Sequence, residues 1–348
     1  MSPLALFVRT VMKTSAICIG ATWVVMHPTL DWSASRATSL TAQPGPNGAA
    51  VQGLVAALGD EDGNVRREAA AALDRIRTAQ GRSVRELTDD LSAADPAIRA
   101  RAACDVKETG PKAAELIEPL VALLGDGAPV DPAVCGRKAW RGSLTHPTSP
   151  GEQAAGALVS IGAPAFQPVL AALKGTSWIA RRNAAWALGA FDDRRAVGPL
   201  AQALKDQEAG VRRQAAWALG AIDDSTVVPA LIATLDDKDA GVRQQVAWAL
   251  GALGDERAVP ALGKALGDGD AEVREQAAWA LGAIGDRRGV PALVGALRDE
   301  KSDVREQAAW ALGAIGDSSA AQALLPLLKD PEVGVRRQAA WAIGAIGR

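Results

Sequence analysis

The sequence predicts an all-α fold, a right-handed α-solenoid of about nine two-helix repeats with a 31-residue period, and three observations carry that prediction. Trp186, Trp217, Trp248, Trp279, Trp310 and Trp341 recur at a constant spacing of 31 residues. Each sits in a near-identical segment, such as VRRQAAWALGAID from Val211, VRQQVAWALGALG from Val242, and VREQAAWALGAIG from Val273 and again from Val304. Each segment is followed by a Gly or Asp turn and a second apolar stretch such as VPALGKAL. A helix pair this short cannot bury its apolar stripe alone, so it is stable only when stacked against copies of itself.

Within Val211 to Ile222, residues Val211, Ala215, Ala218, Leu219 and Ile222 fall on one stripe at about 100° per residue, which predicts a helix. The Asp and Gly cluster after it breaks that helix. The second stretch, Val228 to Leu235, carries Pro229 in its first turn, where a missing N–H costs nothing. The frame extends backward: the segments beginning at Val65 and Ile98 start seven residues after Leu58 and Leu91, as Val211 does after Leu204. The repeats therefore run over residues 48–348. In the third repeat the turn after Leu124 holds 19 extra residues, which predicts a loop at about 127–149 with Cys135, Trp140 and His146 in it.

These VR..AAxALGxIGD units resemble the HEAT repeat superfamily, and specifically the phycobilisome-lyase-type HEAT-like repeats, over about 300 residues. The resemblance implies the fold. It leaves function open, because such repeats serve scaffolds, lyase chaperones and hydroxylases alike. The hydroxylases need repeated His-Glu ligand pairs, which this sequence lacks.

Arg66, Arg99, Arg181, Arg212, Arg243, Arg274, Arg305 and Arg336 share one position. Asp60, Asp126, Asp206, Asp237, Asp268, Asp299 and Asp330 share another, six residues before it. The resemblance implies a ladder, in which each Asp caps a helix start and each Arg reaches the neighbouring repeat's Asp. The Trp row lies about 140° from the middle of the core stripe, so each indole either fills the space between repeats or shows an edge on the concave surface. One position varies between copies: Arg67, Ala100, Glu152, Arg182, Arg213, Gln244, Glu275, Glu306 and Arg337. It points almost opposite the core, and is either a solvated face or a partner-binding one.

Lys and Arg total 38 against 40 Asp and Glu, a net charge of -2, so no global positive field favours nucleic acid or an anionic membrane. Residues 1–47 stand outside the repeat. Arg9 and Lys13 precede the uncharged run Ser15 to Met26, which reads as an export signal, with Ser35-Arg36-Ala37 as a cleavage site, or as an uncleaved anchor. The repeats are then extracytoplasmic, and the membrane is touched only through this segment. Of the three cysteines, Cys18 lies in the apolar run. Cys104 and Cys135 pair if the protein is exported, and are ordinary buried thiols in a reducing cytosol.

No H-E-x-x-H, C-x-x-C, P-loop or G-x-S-x-G occurs, and of two histidines His27 belongs to the N-terminal segment, so no catalytic residue, metal site or cofactor is assigned. Asp192-Asp193 and Asp223-Asp224 read as turn caps. The expected function is a non-catalytic scaffold or sensor that binds a protein or peptide on the concave face. Arg182, Arg213, Gln244, Glu275, Glu306 and Arg337, with Trp186, Trp217, Trp248, Trp279 and Trp310, are the candidate contacts. The alternative is a lyase-like chaperone or modification protein holding a small ligand on the Trp row. The last repeat carries no polar cap, so its outer face, with Trp341 and Ile343, is expected to fray or to pack on another chain.

Overall fold

A computed structural model describes residues 84–135 and 148–347 together with Val65. The segment 1–47, the ladder and row positions Asp60, Arg66 and Arg67, and Trp140 and His146 of the inserted loop lie outside the described residues. Eight helix pairs follow one another, each a short helix and then a long one. They are α1 (Val84–Leu91) with α2 (Pro96–Thr109), α3 (Ile117–Leu123) with α4 (Pro150–Ile161), and α5 (Phe166–Ala172) with α6 (Trp178–Ala190). Next come α7 (Val197–Ala203) with α8 (Ala209–Ile222), and α9 (Val228–Thr234) with α10 (Ala240–Leu253). The array continues with α11 (Val259–Ala265) and α12 (Ala271–Ile284), α13 (Val290–Ala296) and α14 (Ser302–Ile315), and α15 (Ala321–Leu324) and α16 (Val333–Ile346). The fold is an α-solenoid.

Each boundary has a chemical cause. Asp239 and Asp270 accept N–H bonds from the first turns of α10 and α12 as N-caps, and Ser149 and Ser177 do the same for α4 and α6. At the far ends of the long helices the backbone turns left-handed, at Asp223 with φ 59° and at Gly254, Gly285 and Gly316 with φ 61–75°. Asp224 then caps a single 3-10 turn, Ser225–Val227, by accepting from the Thr226 N–H at 2.9 Å. That turn delivers the chain into α9, where Pro229 occupies the first turn.

The stripe read in the sequence is the core: Val211, Ala215, Ala218, Leu219 and Ile222 of α8 are buried, and Leu231 of α9 closes over them. Neighbouring pairs join into one continuous apolar core along the array. Successive long helices pack directly on one another, whereas successive short helices scarcely touch, which puts the long helices on the inside of the curve.

The extra residues of the third repeat leave α3, form a 3-10 turn at Pro132–Cys135, and return through an antiparallel bridge between Val130 and Thr148 to enter α4. Cys104 of α2 and Cys135 of this insertion form a disulfide with Cα atoms 5.7 Å apart. Among the described residues no helix is long and apolar enough to cross a membrane.

Candidate interaction surface

Two rows give the array its register, and both consume the residues that define them. In each rung an arginine near the start of a long helix forks the aspartate of the next repeat's turn. Arg212 holds Asp237 through Nε at 2.6 Å and Nη2 at 2.8 Å, and Arg243 holds Asp268 at 2.8 and 2.7 Å. The Nη1 of Arg212 donates to the carbonyls of Asp206 and Gln207 in its own turn, at 2.8 and 2.9 Å. Asp237 in turn accepts the Asp239 N–H at 2.9 Å. The side chain of Arg212 is 6% exposed, so this is a nearly buried, hydrogen-bonded ion pair. The rung arginines hold the carboxyls of Asp206, Asp268 and Asp330 below the ordinary carboxylate range.

Among the described residues the ladder is interrupted between α4 and α6. Gly151 stands where an arginine would, and Gly175 where its aspartate would, so both partners of that rung are missing together. A Cβ on Gly151 would lie 2.6 Å from the Leu124 carbonyl and 2.8 Å from that of Asp126, because the inserted loop re-enters directly over it.

The Trp row is wedged between repeats. A Cβ placed on Gly220, Gly251 or Gly282 would come within 2.6–2.9 Å of Cζ3 of Trp248, Trp279 or Trp310, so glycine makes the socket into which the next repeat's indole fits. Trp186 and Trp217 stack at 6.4 Å with planes 12° apart. Trp279 is buried, Trp186, Trp217, Trp248 and Trp310 keep an edge accessible, and Trp341 is 37% exposed. The two expected readings of this row coexist in one side chain.

The variable row runs along the side of the same long helices that faces away from the core. Arg213 and Arg337 are exposed, and Arg182, Gln244, Glu275 and Glu306 are half-buried. Arg182 pairs with Glu152 at 2.9 Å and Arg337 lies 3.7 Å from Glu306. Arg213 has no carboxylate partner among the described residues. Burial, and then Asp303, Glu272 and Glu306, push the Glu275 carboxyl above its usual range. The face thus changes sign along its length. Ala100 departs from the expectation for this row: it has no accessible surface, because the disulfide-held turn 132–135 covers the α2 face that Ala100 shares with Cys104.

Spacing alone did not single out Trp178, which stands where other repeats have Ala209, Ala240 and Ala271. It is 43% exposed, with the Arg182 guanidinium 5.7 Å from its ring centre. Its signal was the departure from an alanine column. The turn carboxylates behave as caps: Asp193 bonds Arg195 and Asp224 bonds Thr226. Among the described residues no group of three or more His, Cys, Asp or Glu is placed to hold a metal ion.

The family described as HEAT repeats matches residues 166–240, 199–271 and 259–344, which together span 179 of the 348 residues. No curated protein matches the chain. Among solved structures, the YibA protein of E. coli is 20% identical, with 76% of this chain and 92% of that one covered and a TM-score of 0.54. Yeast importin-beta, Kap95p, in a complex with Nup1, is 15% identical, with 86% of this chain and 47% of that one covered and a TM-score of 0.59. The CpcE and CpcF complex of phycocyanin lyase from Nostoc sp. PCC7120 is 23% identical over 76% of this chain and 95% of that one, with a TM-score of 0.36.

Proposed function

We propose that this chain, which belongs to the HEAT repeat family, is a non-catalytic scaffold that binds a protein or peptide along the inner face of its long helices. One observation carries the reading. Within helices that are otherwise near-copies, the row Arg182, Arg213, Gln244, Glu275, Glu306 and Arg337 passes from two arginines through a glutamine to two glutamates and back to an arginine, and takes no part in core or ladder. Side chains freed from packing, beside accessible indole edges, have the composition of a binding surface. Importin-beta, which shares the fold, is seen in a complex with Nup1, so an array of this shape can carry a protein partner. The lyase-like alternative has less support, because the indoles press into the glycine sockets of the preceding repeat.

The disulfide between Cys104 and Cys135 supports an oxidising location outside the cytoplasm, and the apolar run 15–26 supplies the export signal or anchor for it. The test uses partners captured on the full chain and then measured singly. Reversing Arg213→Glu and Glu275→Lys together should weaken an inner-face partner at least about tenfold, with a marked change in salt dependence. Reversing Asp236 and Lys264, which are 83% exposed on the short-helix side, should change nothing. If binding of every captured partner ignores the first pair of reversals, the inner face is not the binding surface.

A further inference from the structure

We propose that the inner face recognises an extended polypeptide by two opposite charges, seating an acidic side chain on Arg213 of α8 and a lysine or arginine on Glu275 of α12, two long helices further along the array. This pairing rests on the inner face being the binding surface, as proposed above, and specifies the partner's chemistry and spacing.

On successive long helices from α4 to α16 the variable row reads Glu, Arg, Arg, Gln, Glu, Glu, Arg. Near both ends of it neighbours pair with each other: Arg182 Nη2 donates to Glu152 at 2.9 Å, and Arg337 lies 3.7 Å from Glu306. Arg213 and Glu275 are left over between them. Gln244, on the helix that separates the two, is neutral and neutralises neither. Arg213 is exposed and leans over the start of α10, with Nη1 3.3 Å from where a Cβ on Gly241 would lie. Asp239, at that helix start, is spent as the N-cap on the Val242 N–H at 3.0 Å. Glu275 has the opposite want. Burial, and then the like charges of Asp303, Glu272 and Glu306, act against its ionised form.

The surroundings of each charge specify the occupant further. Trp178, 43% exposed, reaches over the start of α8, its Cζ3 3.6 Å from where a Cβ on Gly210 would lie, and Arg213 stands one helical turn after Gly210. An acidic side chain on Arg213 therefore has an aromatic wall beside it for an apolar neighbour. A cation entering beside Glu275 also meets Glu272 and Asp303, both exposed, and relieves the repulsion within that group. Packed helices lie about 8–10 Å apart, so the two sites are about 16–20 Å apart. An extended chain rising about 3.3 Å per residue covers that distance in about five or six residues. A ligand of one sign satisfies one site only, whereas an extended segment carrying both signs at that spacing satisfies both.

The experiment selects phage-displayed random peptides of about twelve residues, long enough to span both sites, on the oxidised full chain at low salt. The enriched sequences are then measured as labelled synthetic peptides by fluorescence anisotropy. The expected result is an acidic residue beside an apolar one, with a lysine or arginine about five or six positions away. Arg213→Gln and Glu275→Gln should each weaken such a peptide about tenfold, with helicity unchanged. Changing the peptide's acidic residue to its amide should then cost nothing further against Arg213→Gln and a further tenfold or so against Glu275→Gln, as direct pairing requires. Gln244→Glu, which gives Arg213 a carboxylate from the next helix, should weaken the peptide about as much as Arg213→Gln. Peptides that lose affinity in these variants but carry charge of one sign only, or losses that add in every combination, overturn the two-charge pairing and leave the inner-face reading standing. Peptides indifferent to all three variants, or no enrichment at all, overturn it too, and the inner face is then judged by the captured protein partners.

Discussion

At the scale of single residues, one motif position has opposite requirements in different repeats. Gly251 and Gly344 both occupy the glycine of the WA.G segment, yet a Cβ on the first would be crowded by Trp279 Cζ3 and the backbone of Ala280, and a Cβ on the second would meet no described atom within 4 Å. Glycine inside a helix costs about 1 kcal/mol relative to alanine, which is recovered only where a methyl group fits. Gly344→Ala should therefore stabilise by up to about 1 kcal/mol, reduced somewhat by its place near the helix end. Gly251→Ala should destabilise by about 1–3 kcal/mol, since backbone and a wedged indole must both move. Thermal melts of the two variants side by side check this, and equal signs would dismiss the socket. The indoles themselves should rank by burial. Trp279→Ala removes a buried side chain and should cost about 3–5 kcal/mol, Trp248→Ala less, and Trp341→Ala least.

At the scale of the element, adjacent aspartates at the end of α9 show how environment decides the worth of an ion pair. Asp236 lies 3.9 Å from Lys264 with both side chains 83% exposed, whereas Asp237 is forked by the nearly buried Arg212. Asp236→Ala should change stability by less than about 1 kcal/mol. Asp237→Ala strands a buried guanidinium and should cost about 3–5 kcal/mol. Chemical denaturation of both variants distinguishes them. The same rungs set the acid limit of the fold. Because the rung arginines lower the folded-state pKa of Asp206, Asp268 and Asp330, their stabilisation is complete above the unfolded aspartate value of about 3.9 and is lost as pH falls through the folded values. Stability should stay level from neutral pH to about 5 and fall steeply below about 4. Glu275 works in the opposite sense, since its raised pKa means that its charged form opposes folding. Glu275→Gln should raise the melting temperature at pH 7 and leave it unchanged at low pH, where the glutamate is already protonated. The helix pairs, the core stripe and the arginine and aspartate columns were legible in the sequence, because exact repetition exposes every position with a fixed structural duty. Burial of Ala100 was not legible, because it depends on a disulfide that brings a separate segment over α2. The WA.G glycine was legible as part of a small-residue face, Ala216 with Gly220 in α8, on which an adjacent repeat's indole can pack, and the structure adds that the following repeat supplies that indole.

At the scale of the whole molecule, stability in a stacked array is a sum of repeat and junction terms, so a perturbation at one end need not reach the other. The array is not uniform in this respect. From α6 onward each junction has a rung, ending with Arg305 on Asp330, and the Trp row runs from Trp186 to Trp341, whereas the junction between α4 and α6 lacks its rung at Gly151 and Gly175. Two cooperative blocks are expected, divided there. The block before the gap keeps the rung of Arg99 on Asp126 and is tied in addition by the disulfide, which closes a loop with a sequence separation of 31 between Cys104 and Cys135. Closing a loop of that length restricts the unfolded chain by about 3–4 kcal/mol in the chain-entropy account. Removing the bond should therefore act on α1 to α4 and stop near the missing rung. Hydrogen exchange on the full chain, oxidised and reduced, reads this directly. Reduction should speed exchange in residues 84–161 by roughly two orders of magnitude, as about 3 kcal/mol of local stability requires, and leave 209–346 within about twofold. A reduced chain that loses protection evenly from α2 to α16 would show that the array unfolds as one unit, and that the gap at Gly151 and Gly175 divides nothing.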